Sequence, residues 1–329
     1  MGIASFEDFQ KIIQKHYQRG EYEQAYQLAT QNAARFSDQA LLINYWCICM
    51  AVRLGRSAEA LQILSQSLEN GSWYGEMLLR KSPSLQPLQG EAEFERLIEQ
   101  NQQQQMYDQE SIFPLLIVRP DGACQDDENP CPVLIALHAN GSTAQASMDF
   151  WKQAALHGWL VAVPQSSQAM WKDAYVWDDL DVTQREIARH IGFISNRYAV
   201  DPARLVIAGH SMGGETAIWL ALSGVIEVSG YIALGPGGPN MDEPENWREL
   251  VQAVTGRAMR GCLVYGDADT SISIQGIKNL ASMLQDAGLA CMLERLPGVG
   301  HDFHPSYAAA LLSSLEFISR RDLAGGINP

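Results

Sequence analysis

The chain has 329 residues, of which 47% are hydrophobic and 19% are charged, so it can bury a sizeable core and is not expected to be disordered. Its formal net charge is −15, and the sequence shows no basic patch of the kind that binds nucleic acid. Anionic membrane surfaces would repel the chain on average. No run of about 18 apolar residues is present, so no membrane-spanning helix is expected.

Residues 1–106 are predicted to form an all-helical domain with a short internal repeat. The segments Gly20–Ala25 and Gly55–Ala60 each run from a glycine to an alanine, and they recur about 35 residues apart. Glycine permits the turn of a helical hairpin, and alanine permits close helix packing. The pattern resembles the tetratricopeptide repeat, whose period is about 34 residues. Two units rarely bury enough surface alone, so this domain is expected either to cap its neighbour or to form a peptide-binding groove.

The glutamine run Gln102–Gln105 is interpreted as a linker, and residues 107–329 form the second predicted domain. Apolar runs alternate there with helical stretches, which is typical of an α/β fold whose mainly parallel sheet is flanked by helices. Seven strands are predicted, at residues 112–118, 133–137, 160–163, 205–208, 231–234, 262–265 and 291–296. Helices are predicted at residues 181–196, 274–287 and 307–318, among others.

The six cysteines are scattered without a C-x-x-C pair, so no zinc site is expected. Cys124 and Cys131 flank an acidic loop and could approach one another. No secretory signal is visible at the N-terminus, so a cytoplasmic location with free thiols is the expectation.

The stretch Gly209–Gly213 reads G-x-S-x-G between an apolar run and a helix-like run. A strand, a sharp turn and a helix around this pattern make the nucleophile elbow of serine hydrolases. The turn is so tight that a side chain at Gly209 or Gly213 would collide with the neighbouring strand or helix. It would hold the Ser211 hydroxyl clear of the backbone, where the helix dipole favours developing negative charge. Ser211 is therefore predicted to be a nucleophile, the alternative being an ordinary loop of glycine and serine.

A serine hydroxyl needs a general base, and the chain downstream of Ser211 contains two histidines, His301 and His304. His301 directly follows the last predicted strand, and the carboxyl ends of the strands are where such a sheet presents catalytic groups. His301 is the predicted base. His304 is expected to lie at the surface or rim, at the start of the last helix.

Together with these residues, three motifs make residues of about 107–322 similar to an α/β-hydrolase of the carboxylesterase and dienelactone-hydrolase-like group. They are residues 198–204 before the elbow strand, the Gly-His-Ser-Met-Gly-Gly of Gly209–Gly214, and Gly300–Phe303 around the histidine. Dienelactone hydrolases proper use a cysteine nucleophile, so the serine implies esterase-type chemistry. The resemblance implies a small-molecule ester substrate and neither a metal nor an organic cofactor.

The resemblance also implies the other site residues. In the family pattern the acid follows the strand-closing glycine by three residues, which favours Asp269, whereas Asp267 would form a turn. The N–H groups of Met212 and of Asn140 would bind the oxyanion, with Ala139 as the alternative to Asn140. Ala139 stands where the His-Gly-x motif of esterases has its glycine.

The predicted function is hydrolysis of carboxylic esters through an acyl-enzyme on Ser211. A serine peptidase or thioesterase of the same fold is the alternative, as is a tetratricopeptide-like scaffold whose hydrolase domain is secondary. Aromatic residues after the third strand either line an apolar substrate pocket or pack their own loop; they are Trp171, Tyr175 and Trp177. The N-terminal helices would restrict access to the site, bind a protein partner or self-associate.

Overall fold

The computed structural model describes residues 5–110, 114–125 and 128–320. The chain divides into two units: the first comprises Met1–Ile112 with Ala169–Lys172, and the second comprises Phe113–Gln168 with Asp173–Pro329. Within the described ranges, no helix is both long enough and apolar enough to cross a membrane.

The first unit is helical, and its two sequence repeats coincide with the turns of two helical hairpins. Gly20 and Gly55 have φ angles of +73° and +74°, and Ala25 and Ala60 are fully buried in the helices that follow. The described helices of this unit are α1 (Phe6–Gln18), α2 (Tyr22–Asn32), α3 (Ala40–Arg53), α4 (Ser57–Glu69), α5 (Glu76–Lys81) and α6 (Ala92–Glu110).

The linker predicted at Gln102–Gln105 is wrong, because these residues lie inside α6, which extends to Glu110. Glutamine is a good helix former, and the Gln104 amide also donates to the Leu68 carbonyl oxygen at 2.8 Å. The units divide after this helix, at residue 112. Ile112 and Phe113, at the start of the first predicted strand, lie outside the described residues.

The second unit is built on a seven-stranded sheet of order β1-β3-β2-β6-β7-β8-β9, in which β1 runs antiparallel to β3 and the other neighbours are parallel. Each of the seven predicted strands overlaps one of its members. The strands of the chain are β1 (Leu115–Val118), β2 (Cys131–Leu137), β3 (Leu160–Pro164), β4 (Ala169–Trp171, in the first unit), β5 (Ala174–Tyr175), β6 (Val200–His210), β7 (Gly230–Leu234), β8 (Arg260–Gly266) and β9 (Ala290–Leu296).

Helices cover both faces of this sheet, because successive strand side chains point to opposite sides. Leu134 packs in one cluster with Trp151 and Leu311, whereas Ile135 packs in another with Ile187. The helices are α7 (Ala144–Trp151), α8 (Leu180–Arg197), α9 (Met212–Ser223), α10 (Pro239–Asp242), α11 (Arg248–Ala253), α12 (Ile274–Asp286) and α13 (Pro305–Ser319). The predicted α/β-hydrolase fold class with a preceding all-helical region is confirmed.

Cys124 and Cys131 form a disulfide, so the expectation of free thiols at these two positions is wrong. The main chain of Ala199 brings them together, since its N–H donates to the Cys124 carbonyl oxygen at 3.4 Å and its carbonyl accepts from the Cys131 N–H at 3.0 Å. Both cysteines are 3% exposed. Sequence spacing alone did not show this shared partner.

Replacing both Cys124 and Cys131 by serine should lower the free energy of unfolding by about 2–3 kcal/mol, because the disulfide restricts the unfolded chain by closing a short loop. Urea unfolding under non-reducing conditions measures the difference. A reductant should destabilise the wild type by a similar amount and leave the double variant unchanged. A wild type whose stability does not respond to reductant would contradict the prediction.

Candidate active site

Ser211 is the single residue between β6, which ends at His210, and α9, which begins at Met212. Its φ and ψ angles are 55° and −124°, a strained conformation for a residue with a side chain. Main-chain bonds hold it there: the Ser211 N–H donates to the Leu234 carbonyl at 3.0 Å, and the Gly237 N–H donates to the Ser211 carbonyl at 3.1 Å. The turn is therefore tied to the end of the neighbouring strand β7.

The two glycines of the elbow are required by close backbone contacts. A Cβ atom on Gly209 would lie 2.1 Å from the Gly213 carbonyl oxygen. A Cβ atom on Gly213 would lie 2.4 Å from the carbonyl oxygen of His138, just beyond the end of β2. Both distances are far below van der Waals contact, so the turn excludes any side chain at these positions.

His301 lies between Ser211 and Asp269 and is hydrogen-bonded to both. Its Nε2 atom is 2.9 Å from Ser211 Oγ, and its Nδ1 atom is 2.7 Å from Asp269 Oδ2. The second carboxylate oxygen of Asp269 accepts the Ser271 N–H at 2.8 Å, and the residue is only 5% exposed. With Nδ1 donating to the carboxylate, Nε2 is left to accept the serine proton.

Asp267 and His304 do not join these three residues. Asp267 Oδ1 accepts the Gly298 N–H at 2.6 Å, which ties the loop after β8 to the loop after β9. This partner differs from the local turn bond expected for Asp267 from the sequence. His304 caps the N-terminus of α13, where its Nδ1 atom accepts the Ser306 N–H at 3.1 Å.

The predicted oxyanion donors lie at the start of α9 and in the loop after β2. Within the described residues, the N–H groups of Met212, Asn140 and Ala139 have no hydrogen-bond acceptor. The Ala139 carbonyl oxygen accepts from the His138 imidazole at 2.9 Å and from the Ser142 N–H at 3.2 Å. The C=O and N–H of a trans peptide point in opposite directions, so the Asn140 N–H points away from both of these donors.

Two of the three predicted pocket aromatics support this loop. The Trp177 indole N–H donates to the His138 carbonyl at 3.0 Å, and the Tyr175 carbonyl accepts the Gly141 N–H at 2.9 Å. Trp171 instead belongs to the first unit and packs against the apolar cluster there. The sequence showed that the segment is rich in aromatic residues. It did not show that Tyr175 and Trp177 contact this loop whereas Trp171 packs in the first unit.

Buried polar side chains next to the elbow were missed by sequence reasoning. Glu215, one turn into α9, is 6% exposed, and its carboxylate accepts the Met241 N–H at 2.9 Å and the Asn240 side-chain amide at 3.0 Å. Burial raises its pKa. The sequence signal was a lone carboxylate in an otherwise apolar helix. His210, the variable residue of the elbow motif, carried no such signal.

Acidification should destabilise the protein through His138 and His210. Burial is the main cause that lowers the pKa of each from the ordinary 6.5 to about 4. As the pH falls, the unfolded chain binds protons first, so stability is complete above about pH 6.5 and is lost towards pH 4. The slope is about 1.4 kcal/mol per pH unit for each histidine.

Urea unfolding at pH 7 and pH 5 measures this loss. The variant His210→Phe should lose about 2 kcal/mol less than the wild type between the two pH values, because it lacks one of the two histidines. Equal losses in both proteins would show that His210 is not a neutral buried group.

The comparisons with known proteins cover both parts of the chain. Residues 122–316, more than half of the chain, match the profile described as the dienelactone hydrolase family. Residues 8–108 match the profile described as A/B hydrolase-like, N-terminal domain. No curated protein matches the chain significantly.

Solved structures resemble the chain at low sequence identity. A protein from Bacillus cereus is 23% identical with a TM-score of 0.53, and the match covers 96% of this chain and 99% of the other. A ferulic acid esterase is 18% identical with a TM-score of 0.48, over 63% of this chain and 91% of its own. Zea mays acyl-protein thioesterase 2 is 17% identical with a TM-score of 0.47, over 61% and 98%.

Proposed function

The chain belongs to the dienelactone hydrolase family, and from this premise we propose that it is a serine esterase acting through an acyl-enzyme. The observation that carries the proposal is the hydrogen-bonded series from Ser211 through His301 to Asp269, with distances of 2.9 and 2.7 Å. A serine at the elbow distinguishes the chain from relatives whose nucleophile is cysteine. A serine nucleophile is suited to the hydrolysis of esters.

In the proposed mechanism Ser211 Oγ attacks the ester carbonyl carbon while His301 Nε2 takes the hydroxyl proton. Asp269 holds the imidazole and stabilises its charged form. The N–H groups of Met212 and Asn140 bind the oxyanion of the tetrahedral intermediate. His301 then gives its proton to the leaving alcohol. In the second half His301 takes a proton from water, whose oxygen attacks the acyl carbon. The bond between that carbon and Ser211 Oγ then breaks, His301 returns its proton to Ser211 Oγ, and the acid is released.

An apolar wall beside the nucleophile supports an apolar substrate group. A Cβ atom on Gly237 would lie 4.0 Å from Ser211 Oγ and 2.7 Å from a methyl group of Ile272. The absence of a side chain at Gly237 therefore lets the partly exposed Ile272 pack close to the backbone beside the hydroxyl. We assign the apolar surface of Ile272 to contact with the acyl or alcohol group of the ester.

Kinetics on three substrate classes test the proposal. The purified protein should hydrolyse p-nitrophenyl esters of graded acyl length, and a fluorophosphonate probe should label Ser211. Selective turnover of aminoacyl-naphthylamides would support a peptidase instead, and selective turnover of acyl thioesters would support a thioesterase. Wild-type protein that is neither labelled nor active on esters would overturn the esterase and favour the scaffold alternative.

For the N-terminal helices we propose a tetratricopeptide-like role in binding a partner or in self-association. An ion pair between Arg56 and Glu23, at 2.6 Å, joins the two hairpin turns at Gly20 and Gly55. Light scattering of the full chain measures self-association directly. A strictly monomeric protein would leave partner binding as the proposed role.

The cytoplasmic location is likewise a proposal. Four cysteines are free thiols, which is typical of a reducing compartment: Cys47, Cys49, Cys262 and Cys291. The Cys124–Cys131 disulfide is typical of an oxidising one. Trapping the thiols with an alkylating agent in freshly lysed cells measures the redox state of this pair. Fully reduced Cys124 and Cys131 would support the cytoplasm, and a complete disulfide would overturn it.

A further inference from the structure

His210 directly precedes Ser211 and ends β6, and it is 5% exposed. Its ring lies next to the hydrogen-bonded series of Ser211, His301 and Asp269, but His210 is not itself one of these three residues. The G-x-S-x-G pattern leaves this position open, and the mechanism above gives His210 no role.

The His210 side chain makes one hydrogen bond, and that bond reaches the main chain of His301. Its Nε2 atom lies 2.7 Å from the His301 carbonyl oxygen. A carbonyl oxygen can only accept, so Nε2 carries the proton and donates it. Within the described residues, Nδ1 has no partner. Burial, and then the nearby His301, hold the pKa of His210 at about 4, which keeps the ring neutral at working pH.

Aromatic rings fix the orientation of the His210 imidazole. The Phe303 ring lies 4.3 Å from it between centroids, and Phe303 itself stacks on Phe150 at 4.2 Å. The Tyr307 ring stands edge-on at 6.2 Å. The donor is therefore presented to the carbonyl in a defined position.

The loop that carries His301 has few other restraints near the base. Before it, the Val299 carbonyl accepts the Ala268 N–H at 3.1 Å, and the Gly298 N–H is bound by Asp267. In the part of the chain that the structure describes, the bond from His210 is the one that reaches the backbone of His301 itself.

We propose that His210 is a positioning residue, which holds the backbone of His301 and thereby sets the distance between the base and Ser211. This inference rests on the proposed function. One residue is covalently joined to the nucleophile and hydrogen-bonded to the base, so it couples two loops of the fold. A displacement of the base by about 1 Å costs on the order of 100-fold in rate.

Histidine meets three requirements at this position. It donates a hydrogen bond, as glutamine does, and it packs as a ring, as phenylalanine does. It also stays uncharged when His301 becomes an imidazolium during the reaction. A positive charge on the neighbouring His210 ring would oppose the protonation of His301.

Two substitutions at this position separate positioning from simple packing. His210→Gln keeps an N–H donor but leaves buried amide atoms unpaired, so it should be the less stable variant. His210→Phe keeps the ring stack and removes the unpartnered Nδ1, so it should be the more stable variant. The control Leu284→Ala destabilises α12, whose buried face packs in a different apolar cluster.

Activity is expected in the opposite order to stability. His210→Phe should lower kcat on a p-nitrophenyl ester and the rate of fluorophosphonate labelling by about 10- to 100-fold, with KM within about twofold. His210→Gln should lose less than about fivefold, and Leu284→Ala should keep its kcat well below its unfolding temperature. Full activity in His210→Phe, or an activity order that follows stability, would overturn the proposal.

A second readout does not depend on turnover. The downfield proton NMR signal of His301 Nδ1–H reports its hydrogen bond to Asp269, and it should be lost or shifted in His210→Phe but retained in His210→Gln. An unchanged signal in His210→Phe would overturn positioning even if the protein proves not to be an esterase. Wild-type protein without ester turnover or labelling would instead count against the proposed function.

Discussion

Replacing Ser211 by alanine should lower kcat/KM on the best ester by a factor on the order of 10⁶, since nucleophile and base act as a unit. The strained φ of 55° is relieved little by the change, and the main-chain bonds of the turn do not involve the hydroxyl. The variant should therefore fold normally. Circular dichroism and thermal unfolding check the fold, and initial rates with fluorophosphonate labelling check the chemistry.

The matched control is Ser223→Ala at the other end of the same helix, α9. The Ser223 hydroxyl donates only to the Leu220 carbonyl, at 3.2 Å. Its activity should stay within about twofold of the wild type, because an isolated surface hydrogen bond contributes little. Ester turnover that persists in Ser211→Ala would disprove the acyl-enzyme mechanism.

Asp269→Asn is expected to reduce kcat by about 10⁴-fold while preserving the overall structure. The asparagine amide can donate to His301 Nδ1, which would favour the tautomer with a proton on Nε2. That tautomer cannot accept the Ser211 proton, although it lies at the same 2.9 Å distance. Steady-state kinetics over a range of pH measures the effect, with thermal unfolding to exclude loss of the fold.

Asp267→Asn provides a control two residues away in the same loop. The asparagine oxygen can still accept the Gly298 N–H, so activity should fall by no more than a few-fold. If Asp267→Asn were the more damaging change, the acid would have to be reassigned to Asp267. The two variants thus test which carboxylate is the catalytic acid, since both Asp267 and Asp269 were candidates from the sequence.

The strands and the elbow were predictable because their signals are local. Buried parallel strands appear as short apolar runs, and β7, β8 and β9 were located to within one or two residues at each end. The elbow was predictable because its glycines are required by contacts within the motif itself or with the adjacent strand. Short elements such as α10 and β5 have too few residues for a periodic signal.

The errors have physical causes that the local pattern does not contain. The glutamine run continues α6, where the Gln104 amide bonds to the Leu68 carbonyl of another helix, a contact that the linker-like composition does not reveal. Cys124 and Cys131 pair because both bond to the main chain of Ala199, about 70 residues further on. Both outcomes depend on contacts made only after folding.

By itself, the sequence determined the succession of strands and helices, the turn at Ser211 and the order of the candidate site residues. The tertiary structure decided which carboxylate meets His301 and that His210 reaches the backbone of His301 across 91 positions of the chain. The reason is the range of each interaction. Strand and turn preferences act between neighbouring residues, whereas hydrogen bonds between loops exist only once the parallel strands bring their carboxyl ends to one edge of the sheet.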